Sequence, residues 1–265
     1  MKRVLTIGGS AAQGSAGIQA DLKTFEERNV YGMSVITATV ANNSRTEKGI
    51  FIRSTEEIEA QFYAVQEMVG YDACKTGMLF SKEIIQVTVK MLKEFPPPSL
   101  IVDPVMIGKM GSQLLSDAAI ITLKKELIPI ADLITPNRLE ASRLINRKIE
   151  ATISDLKQAA VELFELGPRA VLVKGGVIDK EAVDVLYDGK GFEVFKTHAI
   201  DTIHTSGAGC SYAASITAEV AKGYDLVEGI SKSKQFVQKA IEEHLDFDRG
   251  VGSVRHSSFR AQNRK

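Results

Sequence analysis

Apolar runs that alternate with helical patterns constrain the fold of this chain more than any other feature. Residues 4–7 and 34–41 are rich in β-branched side chains, residues 73–79 also read as a strand, and a segment with helical spacing follows each of them. Strands that are buried on both faces appear as near-continuous apolar runs. The alternation therefore predicts an α/β fold in which a mostly parallel central sheet is flanked by helices on both faces.

The remaining elements extend this pattern along the chain. We predict further strands at 100–106, 132–135 and 170–174, and a β-hairpin whose strands 182–187 and 192–196 flank the turn 188–191. The predicted helices cover residues 17–28, 55–68, 82–94, 208–222 and 226–243. Since no linker, repeat or low-complexity segment interrupts this order, we predict a single domain over residues 1–265.

Charge and cysteine usage exclude several classes of protein. The formal net charge is +0, from 33 basic and 33 acidic side chains, and no basic stripe suggests a nucleic-acid partner. No apolar run is long enough for a signal peptide or a membrane span. Cys74 and Cys210 belong to no Cys-x-x-Cys pair or Cys/His cluster, which is typical of a reducing compartment. We expect a cytoplasmic protein.

Residues 205–210 (TSGAGC) precede a helical pattern of small side chains and predict a phosphate-binding turn. Glycines allow the backbone to approach a ligand closely, and the unpaired N–H groups of the helix terminus attract anions. The same field would favour the thiolate of Cys210, which suggests group transfer involving phosphate. The alternative is an ordinary junction between a loop and a helix, with a buried cysteine.

The first glycine-containing turn fits neither of the common nucleotide motifs. Residues 8–17 lack the G-x-G-x-x-G spacing of a dinucleotide site, and Gly14 is followed by Ser15 and Ala16 rather than by the Lys-Ser/Thr of a P-loop. A nucleotide would have to be held in another way.

Polar residues at the ends of the predicted strands are the other candidates, because ligands of such sheets bind beyond the carboxyl ends of the strands. Asp103 interrupts an apolar strand, where an unpaired charge is costly, so it suggests a metal or phosphate site. Asn137 and Glu140 would share one face of a helix and supply oxygens to Mg²⁺, or simply face water. Lys174 follows an apolar strand and is well placed for phosphate. Asp21 alone would be an ordinary helix-start carboxylate.

Taken together, these segments resemble the ribokinase-like vitamin kinases, in the branch of hydroxymethylpyrimidine/phosphomethylpyrimidine kinase and the related bacterial pyridoxal kinases. The resemblance covers nearly the whole chain. It is carried, in this order, by AGIQADLKTF (16–25), YGMSVITA (31–38), KTGML (75–79), VDPVM (102–106), TPNRLEA (135–141), VKGG (173–176), VDVLYDG (183–189) and GAGC (207–210).

The resemblance implies a ribokinase-like three-layer sandwich, ATP and Mg²⁺ as cosubstrate and cofactor, a small heteroaromatic alcohol as acceptor and a homodimer. It assigns Cys210 as the catalytic base, with the amides of Gly207, Ala208 and Gly209 as the anion hole. The metal would be held by Asp103 and Glu140. ATP would contact Asn137, Lys174, Asp184, Val185, Leu186, Tyr187, Asp188 and Gly209. The acceptor would contact Gly8, Asp21, Val40, Asn42, Met78 and Ile107, under a flap formed by residues 107–115.

Several positions depart from the pattern of the family. Ala11 replaces an Asp, Ser15 a Gly, Ser206 a His, and Asn42 the usual Gln of the pyrimidine kinases. The amide of Asn42 and the compact 42–50 connection favour phosphorylation of the hydroxymethyl group of hydroxymethylpyrimidine or of its monophosphate, in thiamine biosynthesis. The alternative is a pyridoxal/pyridoxine kinase of vitamin B6 salvage, or dual specificity, which residues 183–189 and 207–210 favour. A non-catalytic ligand-binding homologue and a sugar kinase are further hypotheses, the latter opposed by Cys rather than Asp at 210.

Overall fold

The computed structural model describes residues 1–107 and 114–262, and it contains a nine-stranded sheet with helices on both faces. The strands are β1 (Arg3–Ala11), β2 (Tyr31–Val40), β3 (Ile50–Ile52), β4 (Ala73–Thr76), β5 (Leu100–Val102), β6 (Leu133–Ile134), β7 (Val171–Ile178), β8 (Glu181–Tyr187) and β9 (Phe192–His198). The helices are α1 (Ile18–Glu27), α2 (Thr55–Met68), α3 (Lys82–Glu94), α4 (Asp117–Thr122), α5 (Arg138–Ile145), α6 (Ile153–Phe164), α7 (Ala208–Ala221), α8 (Leu226–Glu242) and α9 (Ser258–Gln262). None of these helices is long and apolar enough to cross a membrane.

The order of the strands across the sheet places the functional edge. The order is β3-β2-β1-β4-β5-β6-β7-β8-β9, and all pairs from β2 to β7 are parallel. Strands β3, β8 and β9 each pair antiparallel with the strand before them in the chain. The chain runs outward from β1 to β2 and then crosses over to β4, so the strand order reverses between β1 and β4. A ligand is expected beyond the carboxyl ends of these two strands.

Both faces of the sheet are buried, which explains why its strands are nearly continuous apolar runs. In β5, Leu100 and Val102 pack on the side of helices α2 to α6, whereas Ile101 packs on the other side. Helices α7 and α8 cover that other side over β5 to β8, and α1 packs against α7 over β1 and β4. The predicted three-layer α/β architecture is confirmed.

The structure differs from the predicted elements in a few places. β5 ends at Val102 instead of 106, because Pro104 has no N–H with which to continue the ladder. The edge strand β3 was not predicted, since its three residues are partly exposed and too few to show a period. α9 was also missed, and α4 continues into a π-helical turn, Leu123–Leu127. The central strands and helices agree with the predictions, and α2 and α3 match at both ends.

Candidate active site

Helix α7 begins directly after a glycine that the local backbone requires. Gly207 has a φ of 84°, and a Cβ on it would lie 1.8 Å from the carbonyl oxygen of Ser15. Within the described residues, no side chain caps this helix. In the first turn, the Ala208 N–H donates to the Thr205 carbonyl oxygen at 3.2 Å. The N–H groups of Gly209 and Cys210 have no hydrogen-bond partner among the described residues and are therefore available to an anion.

The loop that leads into α7 is held by a segment from the far end of the chain. The Ser206 N–H donates to the Gly252 carbonyl at 3.2 Å, and the Val254 N–H donates to the Ser206 carbonyl at 3.2 Å. The Gly252 N–H donates to Nδ1 of His204 at 2.8 Å. These three bonds fix the helix terminus, and no local sequence pattern predicts them because the partners are about 48 positions apart.

A second contact of the C-terminal segment lies directly behind the cysteine. His256 is buried, and its Nε2 is 2.9 Å from Oγ of Ser211, the residue after Cys210. Burial lowers the pKa of His256 to about 4, so the imidazole is neutral at physiological pH.

Asp21, on α1, is not the solvated helix-start carboxylate that its sequence context alone suggested. It is 1% exposed, and its Oδ2 accepts hydrogen bonds from Thr6 Oγ1 at 2.7 Å and from Lys75 Nζ at 2.9 Å. Its Oδ1 is buried and has no hydrogen-bond partner among the described residues. Burial raises the pKa of Asp21, although Lys75 and Thr6 act in the opposite direction. An unpartnered buried carboxylate oxygen is costly and suits a ligand that donates a hydrogen bond.

Asp103 is also buried, and it is paired rather than isolated. Its Oδ1 accepts from Lys174 Nζ at 2.9 Å and from Thr135 Oγ1 at 2.9 Å. A Cβ on Gly209 would lie 3.4 Å from Nζ of Lys174, so this ammonium group lies beside the first turn of α7. Burial opposes the charge of Lys174, but Asp103, Glu140 and Cys210 outweigh it and raise its pKa. Lys174, which is predicted from the sequence to bind phosphate, therefore lies next to the N-terminus of α7.

Cys210 lies among these charges, but its surroundings do not favour the thiolate. It is half-buried in the first turn of α7. Burial raises its pKa to about 11, Asp21 and Asp103 add to this, and Lys75 and the Gly17 amide oppose it. Desolvation and two carboxylates therefore act against the thiolate that the helix terminus was expected to favour.

Asn137 and Glu140 form the N-terminal capping box of α5. The Asn137 Oδ1 accepts from the Glu140 N–H at 2.9 Å, and Glu140 Oε2 accepts from the Asn137 N–H at 2.9 Å. Their oxygens therefore do not both face a metal, contrary to one of the two sequence interpretations. Glu140 is 3% exposed, and burial raises its pKa to about 7. Within residues 1–107 and 114–262, no group of three or more His, Cys, Asp or Glu side chains could hold a metal.

Gly8 and Met78 lie at the point where the strand order reverses. A Cβ on Gly8 would be 3.6 Å from Cα of Gly77 and from the backbone nitrogen of Met78. The Gly77 N–H donates to the carbonyl oxygen of Ile7 at 2.8 Å. The carboxyl ends of β1 and β4 are thus in close backbone contact, and Gly8 places no side chain at that edge.

The other residues predicted for the acceptor are distributed around this edge. Val40 is half-buried at the end of β2, whereas Asn42 is exposed, with its Oδ1 against Gly49. Ile107 is half-buried and packs against the core. Gly108 and the rest of residues 108–113, which make up most of the predicted flap, lie outside the described residues.

A cavity of about 220 Å³ lies beside the first turn of α7, between that turn, strands β7 to β9 and helix α8. Its lining includes Lys174, Gly209, Asp184, Tyr212 and Lys234. Asp184 and Lys234 form a buried ion pair, with 2.7 Å between Oδ2 and Nζ. A second cavity of about 570 Å³, between the β1–α1 turn and the C-terminal segment, includes none of the predicted site residues.

The topology separates the residues of the nucleotide prediction 184–188. β8 runs antiparallel to β7, so Asp184 pairs with Lys174 but Tyr187 pairs with Val171, at the opposite end of β7. Val185 and Leu186 are buried in the core, and Asp188 binds backbone N–H groups of the hairpin turn. Only Asp184 of this run reaches the cavity. The other four recede because each residue along a strand adds about 3.3 Å.

Sequence analysis missed several polar residues of the site. Lys75, a charge inside the apolar strand β4, carries the same signal that singled out Asp103, but no role was drawn from it. Thr6 and Thr135 gave no signal, since threonine is common in strands. Lys234 lies in a regular amphipathic helix, where a lysine normally faces water.

The comparisons with known proteins agree with this geometry. The family model for phosphomethylpyrimidine kinase matches residues 12–255. The chain is 42% identical over 265 residues to the pyridoxine kinase of Bacillus subtilis (strain 168), covering 98% of this chain and 97% of that protein. It is 40% identical over 260 residues to the hydroxymethylpyrimidine/phosphomethylpyrimidine kinase of the same strain, covering 97% and 96%. The ADP complex of Bacillus subtilis pyridoxal kinase superposes with a TM-score of 0.92 at 40% identity, covering 98% of this chain and 99% of that chain.

The similarity spans nearly the whole chain in sequence and in fold, and the relatives are kinases of closely related ring alcohols. The family match covers the glycine turn before α7, helix α1 with Asp21, and Asp103 after β5. The chain therefore belongs to the ribokinase-like phosphomethylpyrimidine kinase family and is a vitamin kinase, a phosphotransferase with an alcohol as acceptor.

Proposed function

We propose that this kinase transfers the γ-phosphoryl group of ATP to the hydroxymethyl group of hydroxymethylpyrimidine or of its monophosphate. The observation that supports this is Oδ1 of Asp21, a buried carboxylate oxygen without a partner among the described residues, beside the strand-order reversal. An aminopyrimidine presents N–H donors on its ring edge, which is the group that such an oxygen lacks. Binding would satisfy the carboxylate and orient the ring.

Residues at the first turn of α7 and Lys174 would carry out the transfer itself. The acceptor oxygen forms a bond to the γ-phosphorus while the bond from that phosphorus to the oxygen shared with ADP breaks. The amides of Gly207 and Gly209 and the Lys174 ammonium group would stabilise the charge on the transferring group. The Ala208 amide would join them on giving up its bond to the Thr205 carbonyl. The proton of the hydroxymethyl group passes to Sγ of Cys210 once that thiol has ionised.

Mg²⁺ fits the site as the partner of a nucleotide rather than as a resident ion. Asp103 and Glu140 supply carboxylate oxygens, and Mg²⁺ is commonly held by one or two carboxylates together with substrate phosphates. When bound, it would neutralise phosphate charge. Glu140, whose pKa is raised to about 7, would then favour its ionised form.

Pyridoxal or pyridoxine is the second candidate acceptor, alone or beside the pyrimidine. The 42% identity to a pyridoxine kinase and the TM-score of 0.92 to a pyridoxal kinase favour it. A pyridine nitrogen that carries a proton would also donate to Asp21. The exposure of Asn42 weakens the argument for the pyrimidine that its amide provided.

Phosphorylation of four acceptors at equal concentration tests this proposal: hydroxymethylpyrimidine, its monophosphate, pyridoxal and pyridoxine, each with ATP and Mg²⁺. We expect the highest kcat/KM with hydroxymethylpyrimidine or its monophosphate. Asp21→Asn should raise the acceptor KM and leave the ATP KM unchanged. The control is Asn43→Asp, which exchanges the same two side-chain types on an exposed loop and should leave both KM values unchanged. Turnover of only the two B6 alcohols would reverse the ranking, and turnover of none would overturn the proposal.

A further inference from the structure

Lys75 is a buried cation to which the steps described above assign no role. It is 1% exposed, and it lies in β4 between Thr6 of β1 and Ile101 of β5. A Cβ on Gly77 would lie 3.2 Å from its Nζ, so the ammonium group is turned toward the carboxyl end of the strand. A buried ammonium group is expensive even when it is paired, and an apolar residue could fill a strand position at lower cost. Its presence at this place therefore needs a reason beyond packing.

The first consequence of Lys75 is the orientation of Asp21. Lys75 Nζ and Thr6 Oγ1, from neighbouring strands, both bind Oδ2 of Asp21, at 2.9 Å and 2.7 Å. Two donors on one oxygen fix the carboxylate and leave Oδ1 as the oxygen without a partner among the described residues. Without Lys75, Thr6 alone would hold the group, and a buried carboxylate with less compensation would take up a proton.

The second consequence is the field at Cys210. The charged groups that act on this thiol come from four elements: Asp21 on α1, Lys75 on β4, Asp103 after β5 and Lys174 on β7. The two carboxylates raise the pKa of Cys210, and Lys75 lowers it. Helix α7, which carries Cys210, packs against β4, which carries Lys75, and against α1, which carries Asp21. Lys174 also interacts with the thiol, and both lysines are paired with a carboxylate at 2.9 Å. Lys75 is thus a cation that opposes the two carboxylates at the sulfur.

We propose that Lys75 is a positioning residue with two functions, which are to orient Asp21 toward the ring of the acceptor and to provide the positive charge that favours proton loss from Cys210. The inference rests on the proposed function for its kinetic part. Its electrostatic part concerns the protein alone and can be measured without turnover.

Alkylation of the protein without nucleotide tests the electrostatic part. Iodoacetamide reacts with thiolates, and peptide mass spectrometry separates Cys210 from the fully buried Cys74. Because Lys75→Met alone would also let Asp21 take up a proton and so change two charges at once, the decisive comparison is Asp21→Asn against Asp21→Asn/Lys75→Met. At pH 8 the double variant should react at Cys210 about tenfold more slowly, which corresponds to about one pKa unit. Equal rates in the two variants would overturn the proposal.

The matched control is the other buried pair of an aspartate and a lysine. Asp184→Asn/Lys234→Met removes the same two charges from the cavity beyond Gly209, and it should change the Cys210 alkylation rate less than twofold relative to Asp184→Asn. If the Cys210 alkylation rate also fell tenfold in this control, then loss of any buried lysine would slow alkylation through folding or access. That result would overturn the assignment of the effect to Lys75.

Steady-state kinetics test the orienting function. Lys75→Met should raise the acceptor KM about tenfold and lower kcat at pH 7, with the rise of kcat with pH displaced to higher pH, while the ATP KM stays unchanged. Lys75→Arg, which retains the charge, should restore part of kcat. An acceptor KM and pH profile like those of the wild type would overturn the orienting function. If the alkylation result holds but no acceptor is phosphorylated by the wild type, Lys75 keeps its effect on Cys210 and only the proposed function fails.

Discussion

The two edges of the sheet carry ion pairs of similar chemistry in opposite environments. At the carboxyl edge, the Asp21–Lys75 and Asp103–Lys174 pairs have side chains that are at most 14% exposed. At the amino edge, Asp72 pairs with Arg3, whose side chain is 41% exposed, and Asp132 pairs with Arg169, whose side chain is 84% exposed.

The pKa values show what burial changes. Hydrogen bonds from Arg3 lower the pKa of Asp72 to about 2, as expected for a salt bridge near water. Asp21 has an equally close cation, yet burial raises its pKa. At the amino edge a charge pair adds a little stability. At the carboxyl edge the same kind of pair is buried, so its charges carry a desolvation cost. A ligand of complementary charge would reduce that cost.

The largest expected effect is at Cys210. Cys210→Ala should lower kcat about 10²- to 10⁴-fold, because it removes the proton acceptor, and should leave the acceptor KM nearly unchanged. Steady-state kinetics measure both values. Cys74→Ala is the control, since this buried thiol lies in the first half of β4, away from the carboxyl edge. A kcat within threefold of wild type for Cys210→Ala would remove Cys210 from the reaction.

The glycine before α7 gives the next largest effect. Gly207→Ala should reduce the free energy of unfolding by more than about 3 kcal/mol and abolish most turnover, because its Cβ would collide with the Ser15 carbonyl and displace the anion-binding amides. Urea unfolding and kinetics measure the two effects. Gly223→Ala, at the other end of α7, also has positive φ, at 99°, but its Cβ would meet nothing within 4 Å. It should cost only about 1 kcal/mol and leave kcat intact, and equal losses would show that backbone strain alone is responsible.

A direct comparison of the edges uses one lysine and one arginine. Lys174→Met should cost about 3 kcal/mol of stability, because it leaves Asp103 buried and unpaired, and should raise the ATP KM on the order of tenfold. Arg169→Met, in the exposed pair with Asp132, should cost less than about 0.5 kcal/mol and leave the ATP KM unchanged. Similar costs for both variants would contradict the contrast between the edges.

The smallest effect is the pH dependence of the amino edge. The pKa of Asp72 is lowered in the folded state, so its contribution is complete above the unfolded pKa near 4 and is lost as the pH falls through about 2. Asp72→Asn should cost about 1 kcal/mol at pH 7 and make the stability curve flatter between pH 4 and 2, as measured by thermal unfolding. A variant whose loss of stability is the same at pH 7 and at pH 2 would exclude this linkage.

The fold followed from the sequence where local pattern and burial agree. The central strands are buried on both faces, so apolar runs identified them, and helical spacing identified α2 and α3, which Ser54 and Ser81 cap in the structure. The prediction was incomplete at β3, an edge strand of three residues, and at α9. Both depend on tertiary contacts more than on their own pattern.

The site followed from the sequence only in part. A charge inside an apolar strand identified Asp103, and glycines before a helix identified the terminus at Gly207. Of the nucleotide segment 184–188, only Asp184 lines the cavity beside α7, because an antiparallel strand carries successive residues away from the edge that its first half reaches. The assignment of Tyr187 and Asp188 to the nucleotide stays a prediction. No local pattern connects Lys75 to Asp21, which are 54 positions apart.

Periodicity and the placement of glycine, proline and charge were enough to predict a parallel sheet between helices and a glycine turn before the helix that begins with Cys210 in its first turn, because these depend on neighbours in the chain. The partner of each charge was decided only by the tertiary structure. Whether a carboxylate is ionised depends on burial and on cations that arrive from distant strands, so the raised pKa of Asp21 and of Cys210 appears only when α1, β4 and α7 come together.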